Sequence, residues 1–453
     1  MALFTYVQNV VTFLASQISA APADGELFLT PFIKNGELDK ARALSEDNMK
    51  VSNIKSEKEI KSYSGYLTID EKTNSNLFFW FFPAQENPDN APVLLWINEL
   101  PGFSCVRAIF LETGPFKVGP NNLVSERNTS WTRSHSMLYV DSPVGTGFSF
   151  SDSDQPYETS SAKEGTEMYE ALKQFFTIFK EFQPREFYLA GENYAASLIP
   201  NIVKRIESEN ANGDFKINVK GFILGSPYLD VQQLHKAQAL YDFGLIDMDQ
   251  KKMMEETTKI SIEMIENGQI KEGTALGLKN YVGPDSLIAK FTGFEDYFNI
   301  LVSKPPPEGI WFQNFIDSKE VHNYLHVGLH KYVGANFGVL EHFTKELSTY
   351  HGEIYEDMLN KGYRVLIYAS QFNLFNPQSG VTEVVNKLKW NGAEKFSKAE
   401  RKIWKVNDDI AGYVKKADNF VYAIVRNSGH YAIMDQPGWL LDLIETFLYN
   451  REF

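Results

Sequence analysis

A short apolar segment that turns at a glycine directly into a helix is the feature that most constrains this sequence. The segment is Phe187–Ala190, the glycine is Gly191, and helical periodicity runs from Ala195 to Ile206. A functional residue two positions after such a glycine forms a nucleophile elbow, whose apex is normally a serine. Here the apex is Asn193. The same pattern is compatible with a strand-to-helix turn that has no catalytic role.

Asn193 changes the chemistry of such a turn but not its geometry. A carboxamide has no ionisable proton, so it cannot attack an acyl carbon as an alkoxide or a thiolate does. Asparagine nevertheless tolerates the left-handed backbone conformation at an elbow apex better than most residues do. The sequence therefore predicts that the turn persists without a nucleophile.

Strand and helix patterns alternate along most of the chain, which predicts an α/β protein with a mostly parallel sheet and helices on both faces. Short continuous apolar runs indicate strands that are covered on both sides. The predicted strands are Ser62–Ile69, Asn76–Ala84, Pro92–Asn98, Met137–Val140, Phe187–Ala190, Gly221–Gly225, Arg364–Ser370 and Phe420–Arg426, the first two forming an antiparallel hairpin. The predicted helices are Lys163–Phe179, Ala195–Ile206 and Trp439–Tyr449.

Strand signals disappear between about residues 230 and 350, where helical patterns dominate. We therefore predict a core made of residues 23–230 and 351–453, with residues 231–350 inserted as a helical cap. Residues 1–22 are apolar enough for a signal peptide, which would direct the chain to the secretory pathway or outside the cell. They lack a basic residue, and without cleavage the chain would be intracellular. No other apolar run is long enough to predict a transmembrane helix.

Composition argues against some classes of function. The formal net charge is −14 and no dense Lys/Arg stripe is present, so a nucleic-acid partner is not expected. Three runs of mixed charge, Ser56–Lys61, Asp247–Glu256 and Glu394–Lys405, have helix-like spacing and predict solvated helix faces. The single cysteine, Cys105, cannot form an intramolecular disulfide, and we expect a buried free thiol.

Several segments spread over nearly the whole chain carry a family resemblance. They are Phe28–Ile33, Ser64–Thr68, Asn76–Ala84, Asp141–Phe150, Gly429–His430 and Asp435–Pro437. Together they resemble the serine carboxypeptidases, α/β-hydrolase-fold enzymes that remove C-terminal amino acids, and they look most like the vitellogenic-like carboxypeptidase branch. The resemblance implies an α/β-hydrolase core with a cap, and no cofactor.

The resemblance also places the family's catalytic triad on this chain. The nucleophile position falls on Asn193 and the acid position on Asn373, so that only the histidine, His430, is retained. In the triad template, replacing the acid by its amide lowers turnover roughly ten-thousandfold, and removing the nucleophile leaves only residual catalysis. The resemblance therefore implies a chain without peptidase activity.

The remaining family positions concern the oxyanion hole and the substrate. The family's Asn-Gly-Gly-Pro-Gly loop is Asn98-Glu99-Leu100-Pro101-Gly102 here, and the oxyanion amides would be those of Leu100 and Tyr194. Leu100 lacks the φ/ψ freedom of glycine, and Glu99 brings a negative charge that disfavours both an oxyanion and a peptide carboxylate. The positions that hold a substrate carboxylate are Asn98, Glu112 and Glu192. The alternative for the two glutamates is a hydrogen-bonded carboxyl pair that stabilises the pocket.

Other residues offer weaker catalytic, metal and modification hypotheses. A relocated nucleophile would have to come from Ser104, Cys105, Ser197, Ser226 or Ser370, none of which is at the apex. His322, His326 and His330 have the spacing of metal ligands on one helix, but Gly328 interrupts the run, and no metal is expected. Asn128 begins a glycosylation sequon, which matters only in the secretory pathway.

Three functions follow from the sequence. The leading hypothesis is a serine-carboxypeptidase-like protein that has lost peptidase activity and acts by binding, with a peptide or a protein partner at its pocket. The second is an active carboxypeptidase or acyl-transfer enzyme with a relocated nucleophile, which requires that group within roughly 3 Å of Nε2 of His430. The third is a structural or storage protein on the same scaffold. The sequence does not indicate an oligomeric state.

Overall fold

The structure is a computed structural model that describes residues 25–47, 60–153, 160–281, 283–296, 298–343, 346 and 351–453. The predicted signal peptide at residues 1–22 and residues 56–59 of the first mixed-charge run lie outside the described residues. Within the described ranges, no helix is both long and apolar enough to cross a membrane.

Each of the eight predicted strands forms close to its predicted position, and further strands form that were not predicted. The described strands are β1 (Glu46–Asp47), β2 (Ser62–Asp70), β3 (Ser75–Phe82), β4 (Val93–Ile97), β5 (Phe116–Val118), β6 (Val124–Glu126), β7 (Ser136–Val140), β8 (Phe187–Glu192), β9 (Val219–Gly225), β10 (Arg364–Ser370), β11 (Lys402–Val406), β12 (Asp409–Ala417) and β13 (Phe420–Val425). All except β5 and β6, which pair with each other, join one sheet in the order β1-β2-β3-β7-β4-β8-β9-β10-β13-β12-β11. The pairs from β7 to β13 in this order are parallel and the outer pairs are antiparallel.

Helices lie between the strands and in the segment after β9. They are α1 (Thr30–Lys34), α2 (Leu38–Ser45), α3 (Val106–Leu111), α4 (Ser161–Ile178), α5 (Ala195–Asn212), α6 (Ala237–Asp242), α7 (Met248–Glu266), α8 (Ile270–Tyr281), α9 (Leu287–Thr292), α10 (Glu308–Ile316), α11 (Lys319–Tyr324), α12 (Phe337–His342), α13 (Gly352–Asn360), α14 (Gln378–Lys387), α15 (Ala393–Lys398), α16 (Ala432–Asp435) and α17 (Pro437–Leu448).

Strand β3 shows why the sheet is covered on both faces. Its residues are all buried, and successive side chains of a strand point to opposite faces. Phe79 and Phe81 pack in one core with helices α4 and α5, whereas Trp80 and Phe82 pack in a second core with α3 and α17. The predicted α/β fold with helices on both faces of the sheet is therefore confirmed, but the sheet is mixed: among the described strands its five central pairs are parallel and its five outer pairs are antiparallel.

One mixed-charge run was interpreted wrongly as a single helix face. Glu394–Lys405 begins in helix α15 but ends in strand β11, where Trp404 is buried and donates its indole N–H to an Asp442 carboxylate oxygen at 2.8 Å. The run continues through the unpredicted hairpin β11–β12 at the sheet edge. In β11 the buried Trp404 lies between the exposed side chains of Ile403 and Lys405, as alternation along a strand requires. The run at Asp247–Glu256, in contrast, lies at the start of helix α7, as predicted.

The predicted cap segment is helical in its described part, but it does not pack as one unit. Helices α6–α9 enclose a small core of their own, which includes Leu240, Met254 and Tyr281. Phe312 and Phe315 of α10 instead join the core on one face of the sheet. The boundaries of the cap as a domain stay a prediction.

Candidate functional site

The predicted elbow is formed where β8 passes into α5. Asn193 has φ of 47°, in the left-handed region. Its backbone N–H donates to the Gly225 carbonyl at 3.0 Å, and its carbonyl accepts from the Tyr228 N–H at 3.2 Å. Gly191 is required beside it, because a Cβ there would lie 2.4 Å from the Ile97 carbonyl oxygen. The backbone of the turn is therefore fixed independently of the Asn193 side chain.

The acid position and the histidine meet as the resemblance implies. The Asn373 amide nitrogen lies 3.0 Å from Nδ1 of His430, and its oxygen accepts the Asn376 N–H at 2.8 Å. Because the Asn376 N–H fixes the amide orientation, the NH₂ group donates to Nδ1, which has to be unprotonated. The proton of the neutral His430 ring therefore resides on Nε2.

Nε2 of His430 faces the carboxylate of Glu99. Its distance to Glu99 Oε2 is 3.3 Å, and the Tyr431 hydroxyl donates to the same carboxylate at 2.8 Å. Burial acts to raise the pKa of Glu99, but the neighbouring His430 ring, the positive charge of Arg107 and the hydrogen bond from Tyr431 outweigh it, so the pKa is lowered. An ionised Glu99 thus occupies the ring nitrogen that would accept the proton of a nucleophile in a working triad.

The backbone of Glu99 also occupies one of the two predicted oxyanion donors. The Tyr194 N–H donates to the Glu99 carbonyl at 2.9 Å. Asn98 holds this loop in place, because its amide nitrogen donates to the Ser104 carbonyl at 2.6 Å and its oxygen accepts the Glu99 N–H at 2.9 Å. An oxyanion at this position would have to displace a protein carbonyl from Tyr194.

Comparison with known proteins places this arrangement in a family. The model of the serine carboxypeptidase family matches residues 53–450. The chain belongs to the serine carboxypeptidase family. It is 37% identical over 433 residues to the venom serine carboxypeptidase of Apis mellifera, covering 94% of this chain and 91% of that protein. It is 34% identical over 433 residues to the vitellogenic carboxypeptidase of Aedes aegypti, covering 94% and 90%. The resemblance seen in the sequence is confirmed.

A solved structure confirms the α/β-hydrolase fold. Kex1Δp, a prohormone-processing carboxypeptidase from Saccharomyces cerevisiae, superposes with a TM-score of 0.73 at 19% sequence identity, covering 95% of each chain. At this identity the likeness concerns the fold. The chemistry of the site has to be argued from its own residues.

The positions that hold a substrate carboxylate in the family are buried and engaged with other groups. Arg107 donates to Glu112, and the Tyr368 hydroxyl donates to Glu192 at 3.0 Å. Burial raises the pKa of Glu112 to about 6, and burial with the charges of Glu112 and Glu99 raises the pKa of Glu192 well above its ordinary value. The alternative of a directly hydrogen-bonded carboxyl pair is wrong in the described structure, because each carboxyl has a different partner.

None of the candidates for a relocated nucleophile is among the described contacts of His430. The Ser104 hydroxyl donates to Asp141 at 2.7 Å, and the buried Cys105 thiol donates to the Trp96 carbonyl at 3.4 Å. The hydroxyls of Ser226 and Ser370 are buried without a hydrogen-bond partner in the described structure. Among the described contacts of His430, none involves these residues or Ser197; its neighbours are Asn373, Glu99 and three aromatic rings.

The three histidines with metal-like spacing have separate surroundings. His322 belongs to α11, His326 follows it with φ of 55°, and the His330 ring stacks on Phe150 at 3.8 Å. His330 also pairs with Glu26 at 3.2 Å. In the described ranges, no group of three or more potential ligands forms a metal site. The sequence spacing therefore does not correspond to one helical face.

Beside the elbow lies a cavity of about 70 Å³ that reaches into helices α7 and α8. Leu100 and Asn193 line it, as does Lys236, a residue that the sequence did not single out. Tyr431, which holds the Glu99 carboxylate, was also missed. A lysine in a mixed polar segment and a tyrosine after a histidine are common patterns, so only the three-dimensional structure brings these groups to the site.

Proposed function

We propose that this chain is a serine carboxypeptidase homologue without peptidase activity that acts by binding at the inherited pocket. The observation that carries the proposal is the double engagement of Glu99. Its carboxylate lies 3.3 Å from Nε2 of His430, and its carbonyl accepts the Tyr194 N–H at 2.9 Å. Glu99 thus contacts both the histidine that would act as general base and a backbone N–H that would stabilise an oxyanion. The nucleophile position of the same site is Asn193.

The three changes act on separate steps of acyl transfer. Asn193 removes the nucleophile, and Asn373 holds the histidine in the tautomer that has no lone pair on Nε2. Glu99 would then repel an oxyanion that formed nearby. Because each step fails independently, reversal of one change does not restore turnover.

The first experiment measures hydrolysis of a blocked dipeptide at about pH 5 by the purified protein, beside a His430→Ala variant. We expect both proteins to match the buffer blank. Hydrolysis by the wild type that is lost in His430→Ala would overturn the proposal and reveal a relocated nucleophile. A fluorophosphonate probe, analysed by mass spectrometry, would locate that nucleophile directly.

A restoration series tests the physical reason. Asn193→Ser alone should remain inactive, because Glu99 still occupies His430 and Tyr194. The triple variant Asn193→Ser, Asn373→Asp, Glu99→Gly should hydrolyse the dipeptide measurably. Thermal unfolding of each variant controls for loss of the fold. Activity in Asn193→Ser alone would show that Glu99 and Asn373 do not block the site.

The proposed binding activity concerns a peptide or a protein partner at the pocket. It is tested by calorimetric titration of the wild type with a blocked dipeptide and with its C-terminal amide. Binding of either peptide that is weakened by Leu100→Trp, a variant that fills the cavity beside Asn193, supports the proposal. Absence of binding, with a folded wild type, would favour the structural or storage role.

We also propose that the chain enters the secretory pathway. The apolar residues 1–22 and the similarity to a venom carboxypeptidase support this location. Asn128 of the predicted sequon is exposed, so it is accessible to glycosylation. Expression in insect cells should give a secreted protein whose mass falls on enzymatic deglycosylation, and Asn128→Gln should abolish that change. Retention of the full chain inside the cells would contradict the proposal.

A further inference from the structure

The cavity beside Asn193 contains a buried amine for which the proposed function has no use. Lys236 precedes helix α6 and is only 4% exposed. Its Nζ donates to the Phe375 carbonyl and lies 4.6 Å and 4.9 Å from the centres of the Phe375 and Tyr281 rings. The amine is thus held at one point of the cavity wall by a single hydrogen bond and two ring faces.

The cavity offers Lys236 no counter-ion. Its lining consists of aliphatic, aromatic and uncharged polar side chains, and none of the lining residues carries a carboxylate. Leu278 lines it and is 41% exposed, so the cavity is bordered by a residue at the protein surface. A small apolar molecule that enters past Leu278 therefore meets one basic nitrogen and no other charged group.

Burial in these surroundings changes the state of the amine. Desolvation lowers the pKa of Lys236 to about 7. A lysine that is desolvated in an apolar pocket is a nucleophile near neutral pH, because a large share of it carries a free lone pair. The hydrogen bond to Phe375 uses one N–H and leaves that lone pair unoccupied.

We propose that Lys236 binds small apolar aldehydes in this cavity as a reversible imine. The lone pair of Nζ attacks the carbonyl carbon, the C=O π electrons move to oxygen, and a proton passes from nitrogen to that oxygen to give a carbinolamine. Loss of the hydroxyl group as water, with the second amine proton, forms the C=N bond. No oxidant or reductant is needed, and addition of water reverses the sequence.

The surroundings of Nζ fit each part of this reaction. The carboxamide of Asn193 lines the same cavity and supplies N–H groups that can donate to the carbinolamine oxygen, whereas the Asn376 amide already donates to the Ser226 and Pro227 carbonyls. Leu234, Ile265 and Leu278 provide an apolar wall for the hydrocarbon chain. This activity is separate from the loss of peptidase chemistry, since it uses neither His430 nor Glu99.

The test treats the full-length protein with a limiting amount of hexanal and sodium cyanoborohydride at pH 7.5, which reduces an imine to a stable secondary amine. Peptide mapping by mass spectrometry then compares Lys236 with exposed lysines such as Lys252 and Lys259 in the same sample. We expect Lys236 to be alkylated at least about tenfold faster, because exposed amines are almost fully protonated at this pH. Equal or slower alkylation of Lys236 would overturn the proposal.

Two variants separate the site from general amine chemistry. Lys236→Met should lose the rapid phase of alkylation, while the exposed lysines react as before. Leu278→Trp leaves the amine in place and narrows the entrance, so it should slow alkylation of Lys236 selectively. Unchanged rapid labelling in either variant would contradict the assignment. Titration with hexanoate forms the other arm: binding of hexanoate without alkylation of Lys236 would overturn the imine in favour of a carboxylate site.

These outcomes are independent of the dipeptide assay. A wild type that hydrolyses peptides and is also alkylated at Lys236 would refute the proposed function alone. A wild type that neither hydrolyses the dipeptide nor is alkylated at Lys236 would refute the imine and leave the proposed function standing.

Discussion

The Glu99 carboxylate and Nε2 of His430 lie 3.3 Å apart, while Nδ1 of the same ring accepts a hydrogen bond from the Asn373 amide. In a working triad the acid lies at Nδ1, and Nε2 is free to take a proton from the nucleophile. Here the carboxylate that contacts the ring lies beside Nε2 instead of Nδ1, and the ring proton is also on Nε2. The ring keeps the orientation of a triad histidine, with Nδ1 toward the acid position, but its proton lies on the nitrogen that would have to accept one.

The contact between Glu99 and His430 should contribute to stability. Glu99→Leu leaves the Tyr431 hydroxyl without its acceptor and removes the carboxylate that lies 3.3 Å from Nε2 of His430, so we expect a loss of about 2–4 kcal/mol in the free energy of unfolding. Glu99→Gln keeps one acceptor oxygen, and its loss should be smaller, at about 1 kcal/mol. Urea unfolding at pH 7 measures both. Equal stability of Glu99→Leu and the wild type would refute a stabilising role for this carboxylate.

The same carboxylate gives this stabilisation a pH dependence. Because the pKa of Glu99 is lowered in the folded state, its contribution is present above the unfolded value of about 4.3 and is lost as the pH falls through the folded value. The difference between the wild type and Glu99→Gln should therefore shrink in unfolding experiments below about pH 4. A difference that grows toward acid would contradict the sign of this shift.

Glu164 should destabilise the fold at alkaline pH. Its side chain is buried, and one oxygen accepts the Ser142 hydroxyl at 3.0 Å, whereas the other has no partner in the described structure. Burial raises its pKa to about 8, with help from the charges of Glu167 and Glu346. The contribution of Glu164 to the free energy of unfolding is thus fully present below about pH 4.3 and is lost as the pH rises through its folded pKa.

The matched variant for this prediction is Glu164→Gln, which preserves shape and removes ionisation. It should be more stable than the wild type at pH 8.5, by on the order of 3 kcal/mol, and about equal to it at pH 5. Chemical unfolding at the two pH values provides the measurement. A constant difference between the proteins at both pH values would mean that Glu164 does not titrate in this window.

Lys236→Met should stabilise the protein in acid. The lowered pKa of about 7 means that the folded state opposes protonation of this amine. The free energy of unfolding is lowered most below about pH 7, and this effect disappears as the pH rises toward the unfolded pKa of about 10.4. After allowance for the lost hydrogen bond to Phe375, we expect a gain of about 2 kcal/mol at pH 6 that declines by pH 9. Destabilisation at pH 6 would show that the two ring faces favour the ammonium form.

Cys105 should be unreactive in the native protein. It is 4% exposed, and burial together with the nearby charge of Asp141 raises the pKa of its thiol. Since the thiolate is the reacting species, alkylation by iodoacetamide at pH 8 should be at least about 100-fold slower in buffer than in concentrated urea. Mass spectrometry of the whole protein follows the reaction. Rapid modification of the folded protein would contradict the buried position.

Local sequence patterns predicted the central strands of the sheet better than the strands at its edge. Strand β10 was predicted at its observed bounds, because Arg364–Ser370 is a continuous apolar run between two parallel strands. The edge hairpin β11–β12 was missed, because its exposed lysines around Trp404 mimic a solvated helix over a short window. Only the pairing partner distinguishes the two. The partner of β11 is β12, which begins at Asp409, beyond the end of the mixed-charge run at Lys405.

At the site, the sequence predicted positions but not contacts. Asn193, Asn373 and His430 were placed by the resemblance of their segments to the family's triad motifs, and Asn373 does meet His430. The partner of Glu99 was not predicted: a negative charge beside the oxyanion was expected, but the carboxylate turns to His430 and Tyr431 instead. Its direction depends on a Tyr431 hydroxyl more than 300 residues away. No periodicity or motif encodes such a meeting.

Asn193 belongs to the fold through its main-chain atoms alone. The N–H donated to Gly225 and the carbonyl that accepts from Tyr228 do not involve the side chain, which matters only because asparagine tolerates the left-handed φ. Any residue that accepts this backbone conformation can stand at the apex, and β8 and α5 still join in the same way. The backbone geometry of this turn therefore does not require a reactive side chain at its apex. A single substitution at the apex can therefore remove a nucleophile and still leave a folded scaffold that is available for another function.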